Sequence, residues 1–208
     1  MTNKELADIL LPNVSHDWKY YEAKYPARNL SKSACVTRFA PSPTGFVHLG
    51  SLATSFMAIQ LAKQTKGVCY LRIEDTDGKR TVENGVEGII DDFNKLNIHF
   101  DEGPTIGGEY GPYLQSERRD IYKAYAKKLI EEDLAYPCFC EASKLEEIRE
   151  YQEHKKLRIG YYKKYAKCRD LSKEEALEKI KNGEKYIIRF RSPGDFENKI
   201  ILHDAIKG

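Results

Sequence analysis

The chain has 208 residues, enough for one substantial core or for one layer with a smaller satellite domain. Its 34 basic and 32 acidic side chains nearly cancel, which excludes a global field for nucleic acid and leaves only local basic surface. No apolar run approaches the roughly twenty residues that span a membrane, and the opening Met1–Lys19 has no signal-peptide core.

Five cysteines with no dense framework read as reduced thiols of a cytoplasmic protein, with metal ligation open to some of them. Residues 1–34 read as a short helix around Glu5 to Leu11 and then a polar arm studded with aromatics. A first strand fits Cys35 to Phe39, closed by Pro41 and Pro43. Leu52, Phe56, Ile59 and Lys63 fall at helical spacing, and Gly67 is the predicted stop. Val68 to Ile73 suits a buried parallel strand. Val82, Val86, Ile89, Phe93 and Leu96 share the face of a second helix, and Ile98 to Phe100 extends before the glycine-rich turn Gly103 to Gly111. This alternation predicts a doubly wound parallel sheet.

The character changes near Ser116. A helix is predicted over 117–133, and Ser143 with Glu146 and Ser172 with Glu175 have capping-box spacing at the heads of two more. Tyr186 to Arg191 and Lys199 to Leu202 read as strands. This second part reads as an insertion or a separate small domain.

The strongest chemical signal runs from Arg38 to Gly50, with Pro41-Ser42-Pro43-Thr44-Gly45 unable to form regular structure. Ligands of open parallel sheets sit beyond the carboxyl ends of strands, near the next helix start, where free N–H groups suit phosphate. His48 at that helix head either caps the helix or donates to phosphate as charge develops, a contact worth roughly 2.7–4 kcal/mol in well-studied cases. The loop is neither a Walker A sequence nor a Gly-x-Gly-x-x-Gly fingerprint.

Arg38-Phe39-Ala40-Pro41-Ser42-Pro43-Thr44-Gly45 followed by His48-Leu49-Gly50 resembles the HIGH-motif region of class I aminoacyl-tRNA synthetases, in the glutamyl and glutaminyl branch. Ser51 stands where the family name implies a second histidine. Leu71-Arg72-Ile73-Glu74-Asp75-Thr76-Asp77, Asp101 to Pro104, Gly111 to Arg118 and Tyr136 to Cys140 continue the similarity in order. The resemblance implies a Rossmann-like parallel sheet, present as its first half over 35–116. An amino-terminal extension over 1–34 would precede it, and an incomplete inserted α+β acceptor-binding domain over 117–208 would follow.

It further implies a glutamate–tRNA ligase, which activates glutamate with ATP and Mg²⁺ and passes it to tRNA(Glu). Arg38 and Glu74 would hold the carboxylate and the ammonium of glutamate, with Ser42 and the Ala40 backbone completing the cradle. Thr44 and His48 would contact the phosphates, and Gly45, Gly50 and Ser51 would shape the ATP site; a plain Arg38–Glu74 ion pair is the structural alternative. Asp75 and Asp77 would fix their loop through turn amides. The arrangement depends on an arginine and an imidazole bordering one shared cavity.

Cys138, Cys140 and Cys168 resemble the Cys-x-Cys and Cys-x-His zinc site that some members carry in the acceptor-binding domain, with Asp170 standing where a histidine would be expected as fourth ligand; a site lost to drift, with small buried thiols left behind, stays open beside it. Lys155, Lys156, Arg158, Lys163, Lys164 and Lys167 interleave with Tyr161, Tyr162 and Tyr165, either as a solvated face or as a tRNA contact. The nearest rival is a glutamyl-Q-tRNA(Asp) synthetase; from another class comes a non-catalytic tRNA- or nucleotide-binding module. No loop resembling Lys-Met-Ser-Lys-Ser occurs, so the reading is an amino-terminal fragment of a monomeric enzyme, with negligible activity alone.

Overall fold

The opening helix, α1 (Asn3–Leu10), begins where the Thr2 hydroxyl accepts the Glu5 N–H and the Glu5 carboxylate accepts the Thr2 N–H. This reciprocal box satisfies two of the helix's orphan donors. A computed structural model describes residues 1–45, 47–78, 82–192 and 201–203. The chain divides into two units, Val14–Ala124 and Met1–Asn13 with Tyr125–Gly208.

In the unit Val14–Ala124, Asp17 caps a short helix, α2 (Trp18–Lys24), that periodicity did not predict. The predicted first strand is β1 (Val36–Phe39), and α3 (Leu49–Thr65) follows the proline loop. The next strand is β2 (Val68–Leu71), which pairs with β1 in parallel, Val36 opposite Val68 through Phe39 opposite Leu71. The helix stop differs from expectation in one respect. Lys66 takes the left-handed conformation at φ 55, while Gly67 is needed for close approach: a Cβ there would lie 1.9 Å from the Cys35 carbonyl oxygen. That carbonyl accepts the Val68 N–H and opens the strand pairing.

Helix α4 (Gly85–Lys95) buries Ile89 and Phe93 as predicted, whereas Val82 and Leu96 are exposed. Ile59, Ala62, Cys69, Leu71 and Ile73 join them in the core, and Phe39, Phe93 and Phe100 meet ring to ring. The predicted third strand at Ile98–Phe100 does not form. The Asp101 carboxylate takes the Cys69 N–H at 2.7 Å, so a side chain competes for the ladder, and pairing shrinks to parallel bridges of Tyr70 with Glu102 and Ile73 with Leu114. On α3, Ile59 is buried, but Phe56 joins Leu49, Met57 and Leu61 on an exposed apolar face.

Helix α5 (Arg119–Glu131) begins in this unit and passes at Tyr125 into the other, where it leads to β3 (Ala135–Cys138), which periodicity did not resolve as a strand. Helix α6 (Ala142–His154) starts after Glu141 with no side-chain cap, so the Ser143–Glu146 pair is not the cap its spacing predicts; Ser143 already lies inside the helix. Helix α7 (Lys173–Lys181) does carry the predicted Ser172–Glu175 box. Strand β4 (Ile187–Phe190) pairs antiparallel with β3, Ala135 opposite Phe190. The core here gathers Leu6, Ala7, Leu10, Ile130 and Ala135. Of the predicted strand Lys199–Leu202, residues 199–200 lie outside the described residues, and Ile201 and Leu202 form no strand.

Gly67→Ala forces a methyl group into the Cys35 backbone and is expected to lower the unfolding free energy by about 1–3 kcal/mol. Gly88→Ala in α4, where an added Cβ meets nothing within 4 Å, is expected to raise it by up to about 1 kcal/mol. Urea denaturation of the two variants beside the parent checks the sign of each.

Candidate functional site

The two strands run on together past their formal ends. Arg72 N–H donates to Phe39 O at 3.0 Å, and Glu74 N–H donates to Pro41 O at 2.9 Å. This register carries Glu74 to the side chain of Arg38, and Nη1 stands 3.4 Å from Oε1. Both side chains keep about a third of their surface open, 38% and 32%. The contact is loose for an arginine–carboxylate pair, so guanidinium donors and a carboxylate oxygen remain for a third group.

After Arg38 the chain turns sharply, with Thr44 N–H donating to Ser42 O at 2.8 Å. His48 is the N-cap of α3. Its Nδ1 accepts the Ser51 N–H at 3.3 Å, and Nε2 lies 3.3 Å from the Ser51 hydroxyl. Gly50 leaves room for the ring, since a Cβ there would come within 3.1 Å of it. A cleft of 470 Å³ opens beside this turn, walled by Ala40, Ser42, Thr44, Gly45, His48 and Ser51 among others. Arg38, Glu74 and Gly50 are not among its walls. The expected single cavity is therefore two adjoining features, an ion pair and a cleft, joined through Phe39 and Ala40.

The sulfurs of Cys138, Cys140 and Cys168 lie within 4.8 Å of one another, with Cys140 and Cys168 3.6 Å apart. Asp170 is exposed and is not part of this group. The oxygen that faces the sulfurs is the Tyr161 hydroxyl, 3.4 Å from Cys138 and 3.2 Å from Cys140. Burial works against ionisation of Cys138, but Tyr161, the Cys140 backbone and Arg189 outweigh it and hold the thiol below its usual value. Burial and the neighbouring thiol of Cys168 push Cys140 up to about 11.

The family described as class I tRNA synthetases (E and Q), catalytic domain, matches residues 34–208. The chain belongs to this family. Over its whole length the synthetase chain is 49% identical to a protein named glutamate–tRNA ligase from Clostridium beijerinckii and 50% identical to one from Acetivibrio thermocellus. It spans 38% and 39% of those two proteins. The crystal structure of a glutamate–tRNA synthetase from Elizabethkingia anophelis superposes with a TM-score of 0.73 at 37% identity, over 84% of this chain and 36% of that one.

In the synthetase chain the basic stretch folds back at Gly160, whose N–H and C=O both bond to the fully buried Gln152 side chain. Sequence gave no signal for Gln152. Lys155, Lys156, Arg158, Lys163, Lys164 and Lys167 are all exposed. Of the interleaved tyrosines, Tyr161 lies under the Arg189 guanidinium beside the thiols, Tyr162 and Tyr165 pack on each other, and the Lys164 ammonium lies 5.3 Å from the centre of the Tyr165 ring.

A second network, with no local sequence signal, backs Glu74. Asp75 accepts the Ser116 N–H and hydroxyl at 2.8 and 2.6 Å, so it ties its loop to a distant segment rather than to the turn amides expected. Further along, Glu102 receives both Arg28 Nη groups at 2.6 Å and the Tyr113 hydroxyl at 2.6 Å. Arg28's hydrogen bonds, resisted by burial, hold the Glu102 carboxyl below its ordinary value. Burial, and then the bond to Glu102, push the Tyr113 phenol up to about 12.

The Glu102 contribution to stability is complete above the ordinary carboxylate value and is lost as pH falls through its lower folded value. The Tyr113 contribution is complete below the ordinary phenol value and is lost as pH rises through about 12. Glu102→Gln should therefore flatten the fall in urea midpoint between about pH 5 and pH 3. Equal slopes for parent and variant would remove Glu102 from the acid transition.

Proposed function

We propose that the chain forms the amino-terminal part of a glutamate–tRNA ligase, joining glutamate to tRNA(Glu) with ATP. The observation that carries this reading is the Arg38–Glu74 pair, held half-open at the ends of two parallel strands beside a cleft headed by His48. Glutamate is a zwitterion with an extra carboxylate, and an open guanidinium beside an open carboxylate answers both of its signs. Arg38 takes a carboxylate, Glu74 the ammonium, and Ser42 and the Ala40 backbone complete the cradle.

ATP with Mg²⁺ occupies the adjoining cleft. There Thr44, Gly45, His48 and Ser51 meet the phosphates, and Gly50 leaves room for the imidazole at the head of α3. The glutamate carboxylate itself attacks the α-phosphate, forming glutamyl-adenylate as the bond to pyrophosphate breaks and pyrophosphate leaves, so the protein's part is to position reactants and stabilise charge. Residues 35–116 then serve as the first half of a Rossmann-like catalytic domain, 1–34 as an extension, and 117–208 as the acceptor-binding insertion. The enzyme acts as a cytoplasmic monomer, and the exposed cations of 155–167 meet the phosphates of the tRNA acceptor.

Three thiols suit zinc. Tetrahedral Zn–S bonds of ~2.3 Å set sulfurs about 3.8 Å apart, close to the spacing here. Cys138, Cys140 and Cys168 hold the ion, with the Tyr161 oxygen as the nearest fourth donor in place of Asp170. A bound ion would tie Cys138 at the end of β3, and Cys140 after it, to Cys168 beyond the basic stretch.

Arg38→Ala in the full-length ligase should raise the glutamate KM by on the order of 100-fold, with Arg38→Lys recovering little of it, because a point charge does not reproduce a bidentate fork. Unchanged glutamate affinity in Arg38→Ala ends the carboxylate role. Metal analysis of the purified chain should give roughly one zinc each, lost in Cys140→Ser and retained in Asp170→Ala. Zinc that survives Cys140→Ser or leaves with Asp170→Ala contradicts the thiol site.

A further inference from the structure

The segment of chain that ends in Glu74 is held from both sides. On one side the donors of Arg72 and Glu74 go to the β1 exit at Phe39 and Pro41. On the other, the alternate donors of Leu71 and Ile73 go to the carbonyls of Glu102 and Tyr113, at 2.9 and 3.0 Å. Those last two residues are the same pair whose side chains meet over Arg28. The guanidinium lies flat on the Tyr110 ring at 3.8 Å, and the Tyr110 hydroxyl donates to Pro26 O at 2.8 Å. The side chains of Arg28 and Glu102 are only 15% and 12% exposed. Tyr25 extends the contact, its ring 6.3 Å from that of Tyr110.

Arg28 lies before residue 34, where the family match begins, whereas Glu102, Tyr113 and Glu74 lie inside it. The catalytic unit thus takes its buried carboxylate's partner from a segment outside the family's matched core. Without Arg28, Glu102 would be left as a nearly enclosed anion with one hydroxyl for company, and it would turn toward water. Its carbonyl, and that of Tyr113, would lose the fixed positions that align Leu71 and Ile73. Glu74 is the next residue along.

We infer that the arm around Arg28 is a brace for the amino-acid pocket, and that Arg28 is a positioning residue which acts on Glu74 through Glu102 and Tyr113. The functional half of this inference rests on the reading of Glu74 as the ammonium site; the brace itself does not. It ties the geometry of glutamate binding to a segment that makes no contact with the Arg38–Glu74 pair.

Hydrogen exchange of this chain tests the brace. Arg28→Ala should speed exchange of the Ile73 and Glu74 amides by about tenfold, while α3 amides change little. Arg28→Lys should restore part of the protection and Tyr113→Phe should give a smaller loss, since each retains some of the contacts to Glu102. Unchanged Ile73 and Glu74 amides, or an equal rise over all of 14–124, overturn the brace.

In the full-length ligase, ATP–pyrophosphate exchange should show the glutamate KM of Arg28→Ala raised about fivefold or more with the ATP KM nearly constant, a difference in ground-state binding. Equal changes in both KM values, or none, overturn the positioning role. A parent enzyme that, with tRNA(Glu) present, exchanges no pyrophosphate with glutamate defeats the proposed function instead, and amide exchange then still decides the brace.

Discussion

Everything at the candidate site depends on the register of one parallel pair. Setting Phe39 opposite Leu71, and then continuing the hydrogen bonds to Phe39 and Pro41 carbonyls, decides that residue 74 rather than 73 or 75 faces Arg38. A slip of one position would send Glu74 to the other face and put buried Ile73 into solvent. The register is fixed by the aliphatic and aromatic core beneath it and by the tight meeting of Gly67 with Cys35. The chemistry of two exposed charges is thus set by apolar packing several residues away.

Local pattern revealed the elements with strong periodicity and short-range chemistry. The β1 strand, the α4 face and the Ser172–Glu175 cap follow from spacing alone, because each is determined by neighbours within a few residues. The strand expected at Ile98–Phe100 failed because the Asp101 carboxylate accepts the Cys69 N–H in place of a ladder carbonyl, a competition between side chain and backbone that hydrophobicity does not register. Strand β3 was missed since Pro137 breaks the pattern although it pairs with an edge partner. At the site, Arg38, Glu74, Ser42 and His48 were legible because they stand in one ordered motif series. Arg28, Glu102 and Tyr113 were not, as their meeting depends on contacts up to 74 residues apart. Tyr161 was hidden for a different reason: it stood within a run of similar residues, and only the fold at Gly160 separates it from them.

The two units carry different relations between charge and burial. In Val14–Ala124 the half-buried ion pair Arg28–Glu102 is held by two hydrogen bonds of 2.6 Å, while the solvent-facing pair Arg38–Glu74 is left loose. The first arrangement is rigid and resists substitution of a single partner. The second holds its charges ready for another molecule. In the other unit, Tyr161 is drawn in beside the thiols and the Arg189 guanidinium, while the lysines on either side of it in the sequence remain exposed.

The capping role of His48 has a consequence for its proton. An Nδ1 that accepts the Ser51 N–H has no hydrogen of its own, so the neutral ring carries it on Nε2. The imidazole is thereby held in one tautomer by the helix it starts, with Nε2 facing the Ser51 hydroxyl at 3.3 Å. An anion arriving at the head of α3 would find that N–H already engaged, and imidazole and hydroxyl would have to exchange partners together to receive it.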